Sequence, residues 1–258
     1  MSESRPNKNL GQHWMHDHRV LQHMAKSADV QSEDTVLEIG PGLGTLTRVL
    51  ASHAKQVIAV EFDPELAAQL STRVKVDNLE VVSGDILKYN LLQLPAGYKV
   101  VANVPYYITS KIVQLLLTSH NRPSRIALLV QKEVAERLAA KPGDMSILAV
   151  SAQLYADVSL GEVVPAALFT PPPKVDSQVV ILKTRQQPLF DVPYEDIFKV
   201  VKAGFSAKRK KLRSSLAGGL EIGKPEAEAL LVKAGIDPNA RAETLALEQW
   251  AQLARIVA

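Results

Sequence analysis

The 258-residue chain predicts an α/β protein: a mostly parallel sheet with an antiparallel strand at its end, then a small all-helical C-terminal domain. Three observations predict this. Short β-rich runs alternate with helical patterns from residue 35 to about residue 140. Two further strands follow with no helix between them, joined by a proline-rich connection. From about residue 185 the strands stop and only short helical patterns remain.

The elements follow in order. TVLEI (35–39) is an apolar β-rich run that ends in glycines and leads into the helical LTRVLASHA. QVIAVE (56–61) precedes the helical PELAAQLSTRV, and LEVVSG (79–84) and YKVVAN (98–103) are the third and fourth strands. SKIVQLLLT (110–118) has apolar residues at helical spacing. RIALLVQ (125–131) is a fifth strand and KEVAERLAA continues as helix. Strand–helix alternation with short links implies right-handed crossovers and a parallel sheet covered on both faces. A helix near 145–155 comes next. DVSLGEVV and SQVVILKT (177–184) then flank FTPPPK, and strands joined without a helix pair antiparallel. RQQPLFDVP (185–193) reads as a linker. The remaining helices are YEDIFKVVKAGF, KRKKLRSSLAGGL, PEAEALLVKAG and LALEQWAQLARIV. The predicted domains are therefore 1–184 and 185–258.

Composition narrows the chemistry. Apolar residues make up 47 % and charged residues 22 %, as in folded globular chains. With no cysteine, thiol catalysis, Cys-ligated zinc, iron–sulfur clusters and disulfides are excluded. No apolar run has the length of a membrane span, and MSESRPNKNLGQHW lacks the apolar stretch of a signal peptide, so a soluble cytoplasmic protein is expected. The net charge of +3 is unevenly spread: +2 over residues 1–28, −4 over 29–198 and +5 over 199–258. An acidic middle with basic ends points to a polyanionic partner. His16-x-His18 lacks surrounding acids or cysteines, so no metal is expected.

Ligands of such sheets bind at the carboxyl ends of the strands, so those ends hold the candidate residues. Glu38-Ile39-Gly40-Pro41-Gly42-Leu43-Gly44 follows the first strand. Its alternating glycines let backbone approach a ligand and free N–H groups at a helix N-terminus. The spacing is not the G-x-G-x-x-G of dinucleotide binders, because the third glycine falls one residue early. It resembles the first motif of S-adenosylmethionine-dependent methyltransferases. Glu61 ends the second strand, where a carboxylate can accept both hydroxyls of a ribose. Asp85, after the third strand, can accept an adenine amino group or cap the next turn.

Asn103-Val104-Pro105-Tyr106 ends the fourth strand and matches the tetrad of enzymes that methylate exocyclic amines. An adenine N6 lone pair is delocalised into the ring and is a poor nucleophile. The Asn103 side-chain oxygen and the Pro105 carbonyl can both accept from the amino group and aim its lone pair at a methyl donor. Tyr106 offers a face for the base. In Phe169-Thr170-Pro171-Pro172-Pro173-Lys174, prolines hold a phenylalanine that could cover the base's other face.

Gly11-Gln12-His13, EIGPGLGTLT, VEFD, SGDIL, NVPYY, LLVQKEVAERL and FTPPPKVDS stand in the order and spacing of the ribosomal RNA adenine N6-dimethyltransferase family, most like its small-subunit branch. The resemblance spans nearly the whole chain. It implies a Rossmann-like methyltransferase sheet, S-adenosylmethionine as cofactor, and dimethylation of two adjacent adenosines near the 3′ end of 16S ribosomal RNA. It also implies a late role in small-subunit assembly, with the immature 30S subunit as partner; nothing in the sequence demands more than a monomer. By position, cofactor contacts fall on His13, Met15, Gly40, Glu61, Asp85 and Asn103, and catalytic roles on Asn103, Pro105, Tyr106 and Phe169. The family often has Asn and Leu where this chain has His13 and Met15; backbone contacts would survive both changes. The cations Lys208, Arg209, Lys210, Lys211 and Arg213 match the family's basic helix and read as a phosphate-contacting surface, making 185–258 the RNA-binding domain and 1–184 the catalytic one. The competing readings are a relative acting on 23S RNA, a non-catalytic assembly or transcription factor, and a small-molecule methyltransferase. The intact tetrad argues against the second. The basic C-terminal segment argues against the third.

Overall fold

The computed structural model describes residues 12–207 and 209–258. The chain forms two units. The first runs to Glu136 and resumes over Ala156–Arg185; the second comprises Arg137–Tyr155 and Gln186–Ala258.

In chain order, the first unit holds β1 (Trp14–Met15), α1 (His18–Ser27), β2 (Thr35–Ile39), α2 (Thr45–Ala51), β3 (Gln56–Glu61), α3 (Pro64–Val74), β4 (Leu79–Ser83), β5 (Lys99–Asn103), α4 (Thr109–Thr118) and β6 (Arg125–Gln131). After β6 the chain enters α5 (Lys132–Leu138) and α6 (Ile147–Tyr155). It returns to the first unit for β7 (Ala156–Val164), β8 (Phe169–Thr170) and β9 (Ser177–Thr184).

Seven strands form one sheet in the order β4-β3-β2-β5-β6-β9-β7. β4, β3, β2, β5 and β6 are parallel, and β9 pairs antiparallel with both β6 and β7. The fold class and the antiparallel pairing of the last strands are as the sequence predicts. β2, β3, β5 and β6 are buried along almost their whole length, as expected of strands covered on both faces. Edge strands β4 and β7 are partly open along their length instead.

Local chemistry sets the helix starts. Asp17 caps α1 by accepting from Val20 N at 3.1 Å. Asp63 caps α3 through Glu65 N at 3.0 Å, with Pro64 at the first helical position. Asp63 is thereby committed to the helix. One sheet lay below the reach of periodicity: β1 and β8 form a two-stranded antiparallel ribbon, with Trp14 opposite Thr170 and Met15 opposite Phe169.

The second unit adds α7 (Tyr194–Phe205), α8 (Leu212–Leu220), α9 (Lys224–Lys233) and α10 (Leu247–Val257). Its core gathers Val150 and Leu154 of α6 with Val200, Val201, Leu216, Leu231, Trp250 and Leu253. This corrects the expected boundary. Residues 137–155 were assigned to the first domain but belong with the C-terminal helices, because α6 is too apolar to stand without them. α7 and α8 cross closely at Gly219, where an added Cβ would lie 2.4 Å from Ala203 Cα.

The basic segment needs a second correction. The helix starts at Leu212, so Arg209 and Lys210 sit in an exposed turn before it and only Arg213 lies on helix. Leu212 N donates to Ala240 O at 2.8 Å, which ties the chain to a neighbouring loop instead of a preceding helical turn. Lys208 falls outside the described residues.

Candidate active site

A cleft of about 240 Å³ opens at the carboxyl ends of β2 to β5. His13, Met15, Gly40, Glu61, Asp85, Asn103, Pro105 and Tyr106 all line it. Eight predicted positions from five separate chain segments therefore converge on one cavity.

The glycine loop makes its floor. Gly40, Gly42 and Gly44 have φ of +67°, +56° and +80°, the left-handed region that glycine enters without penalty. This coils the loop back on its surroundings, and the three glycine amides are themselves bonded. Gly40 N donates to Val60 O, Gly44 N to Pro41 O, and Gly42 N to Glu61 Oε2 at 2.9 Å. Glu61 Oε1 accepts from Asp63 N at 2.9 Å. The Glu61 carboxyl is thus held rigidly, and burial raises its pKa against these backbone hydrogen bonds. Asp85 caps the next turn, its Oδ1 accepting from Leu87 N at 2.9 Å, and the residue lines the cleft, as does Ile86.

At the end of β5, Asn103 Nδ2 donates to His13 O at 2.9 Å. This fixes the orientation of the amide, because the reverse would set two oxygens against each other. Among the described residues no donor is bonded to Asn103 Oδ1, which is left as an acceptor. The Pro105 carbonyl beyond it accepts from Ile108 N at 3.3 Å and keeps acceptor capacity. Tyr106 is held at both ends: its hydroxyl shares a 2.7 Å hydrogen bond with Ser177, and its ring stacks on His13 at 5.6 Å between centroids. Burial raises the Tyr106 pKa, with the Ser177 bond opposing.

His13 joins these parts. Its Nδ1 lies 2.7 Å from Pro171 O, and Thr45 Oγ1 donates to Met15 O at 2.9 Å. The β1–β8 ribbon therefore straps the segment after residue 12 across the cleft, which composition and periodicity gave no sign of.

Phe169 alone of the predicted catalytic residues is not brought to the cleft. It is 3 % exposed, packed in the core with Met15, Val101 and Leu129, and does not line the cleft. Strand pairing explains why: β8 pairs with β1, and the side chain enters the core that Met15 also enters. Tyr106 is faced by His13, not by Phe169. Of the basic residues, Lys211 Nζ donates to Asn239 Oδ1 at 2.9 Å and Arg213 pairs with Glu228 at 3.1 Å, while Arg209 and Lys210 are exposed.

The lining residues given no role from sequence include Trp14, Glu38, Phe62 and Tyr107. Glu38 is 1 % exposed, and its Oε2 has no hydrogen-bond partner among the described residues. Burial pushes its pKa up to about 8, partly offset by the Thr47 hydroxyl and reinforced by Glu61. An acid inside the otherwise apolar TVLEI was the signal available for it. Trp14 Nε1 is also buried without a partner. The wall thus offers an unmatched acceptor and donor beside apolar Ile86, which suits an amphiphilic cofactor with a purine and a polar chain.

Comparison with known proteins places this geometry in context. The family model for ribosomal RNA adenine dimethylase matches residues 3–258. The ribosomal RNA small subunit methyltransferase A of Dehalococcoides mccartyi strain CBDB1 is 44 % identical over 251 residues, covering 95 % of this chain and 86 % of the relative. That of Syntrophotalea carbinolica is 42 % identical, covering 98 % and 97 %. Among solved structures, the 23S rRNA methyltransferase ErmE superposes with a TM-score of 0.78 at 31 % identity, covering 94 % of this chain and 98 % of that one. A dimethyladenosine transferase from Plasmodium falciparum gives 0.81 at 27 % identity, covering 93 % and 96 %. With its glycine loop, strand-end acids and Asn103 tetrad gathered in one cleft, the chain belongs to the ribosomal RNA adenine dimethylase family and is an S-adenosylmethionine-dependent methyltransferase.

Proposed function

We propose that this chain moves methyl groups from S-adenosylmethionine to N6 of two adjacent adenosines near the 3′ end of 16S ribosomal RNA. The products are N6,N6-dimethyladenosines, made late in small-subunit assembly. The observation that carries this reading is the Asn103 amide, whose Nδ2 is tied to His13 O and whose Oδ1 is left to accept.

When bound, the cofactor supplies a methyl group made electrophilic by a sulfonium. This chain's residues bind and align. Glu61 would take the ribose hydroxyls, Asp85 and Ile86 the adenine, and the Gly40 loop, His13 and Met15 the amino-acid portion. Glu38 Oε2 is available to a hydrogen-bond donor of that portion. Asn103 Oδ1 and the Pro105 carbonyl would accept from the target amino group and turn its lone pair toward the methyl, with Tyr106 stacked on the base. No general base is required, because the amino nitrogen loses its proton after transfer. Rate enhancement then comes from alignment and fixed dipoles. The target adenosine must leave its stack to reach Asn103. Arg209 and Lys210, with Lys208, would contact phosphates, making the second unit the RNA-binding part of a cytoplasmic monomer.

The test is to incubate the purified protein with labelled cofactor and either immature small-subunit particles or 23S RNA, then analyse the nucleosides by mass spectrometry. N6,N6-dimethyladenosine in 16S RNA is expected. Label confined to 23S RNA would favour the activity named for the 23S rRNA methyltransferase ErmE.

A further inference from the structure

The chain has thirteen aromatic residues, and only two of them, Phe62 at 57 % and Tyr107 at 64 %, stand largely exposed; both line the same cleft. An exposed ring costs hydrophobic free energy wherever it sits, so two at one cavity mark a surface built to be covered. They lie on opposite sides of the glycine loop. Phe62 follows Glu61 at the end of β3, beside β4 and Asp85. Tyr107 follows the tetrad at the end of β5, across β2. Resting on the reading above, the nucleoside of the cofactor occupies the Glu61–Asp85 side. Phe62 is then spoken for, and Tyr107 is left facing the RNA.

We propose that Tyr107 is a substrate-binding residue that stacks on the nucleobase next to the flipped adenosine. Tyr106 and Tyr107 are successive residues of one turn, Tyr106–Ile108, that runs directly into α4. Tyr106 is fixed inside the cleft by Ser177 and His13, whereas Tyr107 is open at its rim. Flipping one nucleotide leaves its neighbour with an uncovered face, and an aromatic at the mouth replaces the lost stack. Base–aromatic stacking is tolerant of base identity, so this ring would secure the neighbour without reading it. Exposed Lys111 lies four residues on, in the first turn of α4, where it can meet the adjoining phosphate.

The experiment compares wild type, Tyr107→Ala and Tyr107→Phe on immature small-subunit particles, with S-adenosylhomocysteine affinity measured in parallel. Tyr107→Ala should raise KM for the particle by about 5- to 150-fold, the fold-change equivalent to one stacked base. Cofactor-product affinity should stay unchanged, and Tyr107→Phe should recover most of the loss. A second measurement pairs Tyr107→Ala with particles whose RNA lacks the base flanking the target. Either change alone should weaken binding, and the two together should cost little more than one. An unchanged KM, a loss of cofactor-product affinity, or full additivity with base removal would each overturn the proposal. Failure of the wild type to methylate any adenosine would overturn the underlying function as well, so the two failures are distinguishable.

Discussion

At the scale of single residues, Asn103, Glu38 and Phe169 show how differently residues from three sequence motifs can be used. Asn103 sits at a strand end with one half of its amide bonded and the other half free. Asn103→Ala should lower kcat by roughly 100- to 1,000-fold, the usual cost of removing one fixed dipole from a transition state. Calorimetry should find S-adenosylhomocysteine affinity much less affected. Phe169 should behave in the opposite way to its motif's reputation. As a core residue, Phe169→Ala should cost about 3–5 kcal/mol of stability, read from denaturant unfolding, whereas Tyr106→Ala should mainly lower turnover. Glu38 predicts a pH effect. Its folded pKa of about 8 lies above the ordinary value of 4.5, so the folded state holds more protons than the unfolded state between those values. Stability must therefore fall as pH rises from about 4.5 toward 8. Glu38→Gln should flatten that slope in Tm measurements across the same window. These three residues also mark the limits of sequence reading. Asn103 was legible because its chemistry and strand-end position coincide. Phe169 was not, because its face is decided by pairing with a two-residue strand.

At the scale of elements, the glycine loop and the β1–β8 ribbon do the positioning. Gly44 carries φ of +80°, and a Cβ there would lie 2.5 Å from Val74 Cγ2 and 2.9 Å from Leu70 Cδ1 of α3. Gly44→Ala combines left-handed strain with overpacking and should destabilise the fold by about 2–4 kcal/mol. Loss of cooperative unfolding at a lower denaturant midpoint would register it. The α3 and α7 boundaries were legible to the residue: at α3 a capping aspartate, a proline and helical apolar spacing agree, and at α7 Pro193 stands directly before a run of helical apolar spacing. β1 and β8 offered no period to read. Their pairing depends on residues far apart in the chain, so the strap that carries His13 to Asn103 emerges only in three dimensions. The basic run misled for a related reason: composition reported its charge, but the helix boundary is set by buried Leu212 and its bond to Ala240.

For the molecule as a whole, the sheet and its succession of parallel strands were legible from alternation alone, whereas the division into units was not. α6 lies between two elements of the first unit yet buries Val150 and Leu154 among the C-terminal helices. Cutting after Arg185 should therefore strip α6 of its cover, and a fragment ending there should aggregate in light scattering. Replacing residues 137–155 with a short polar linker in that fragment should restore solubility. Under the proposed function, RNA contact falls to a unit assembled from two chain segments. The most direct test of the central claim is nucleoside mass spectrometry of 16S RNA from immature small-subunit particles treated with wild-type protein or with Asn103→Ala. The account predicts N6,N6-dimethyladenosine with the wild type and essentially none with the variant. Equal dimethylation by both would contradict it.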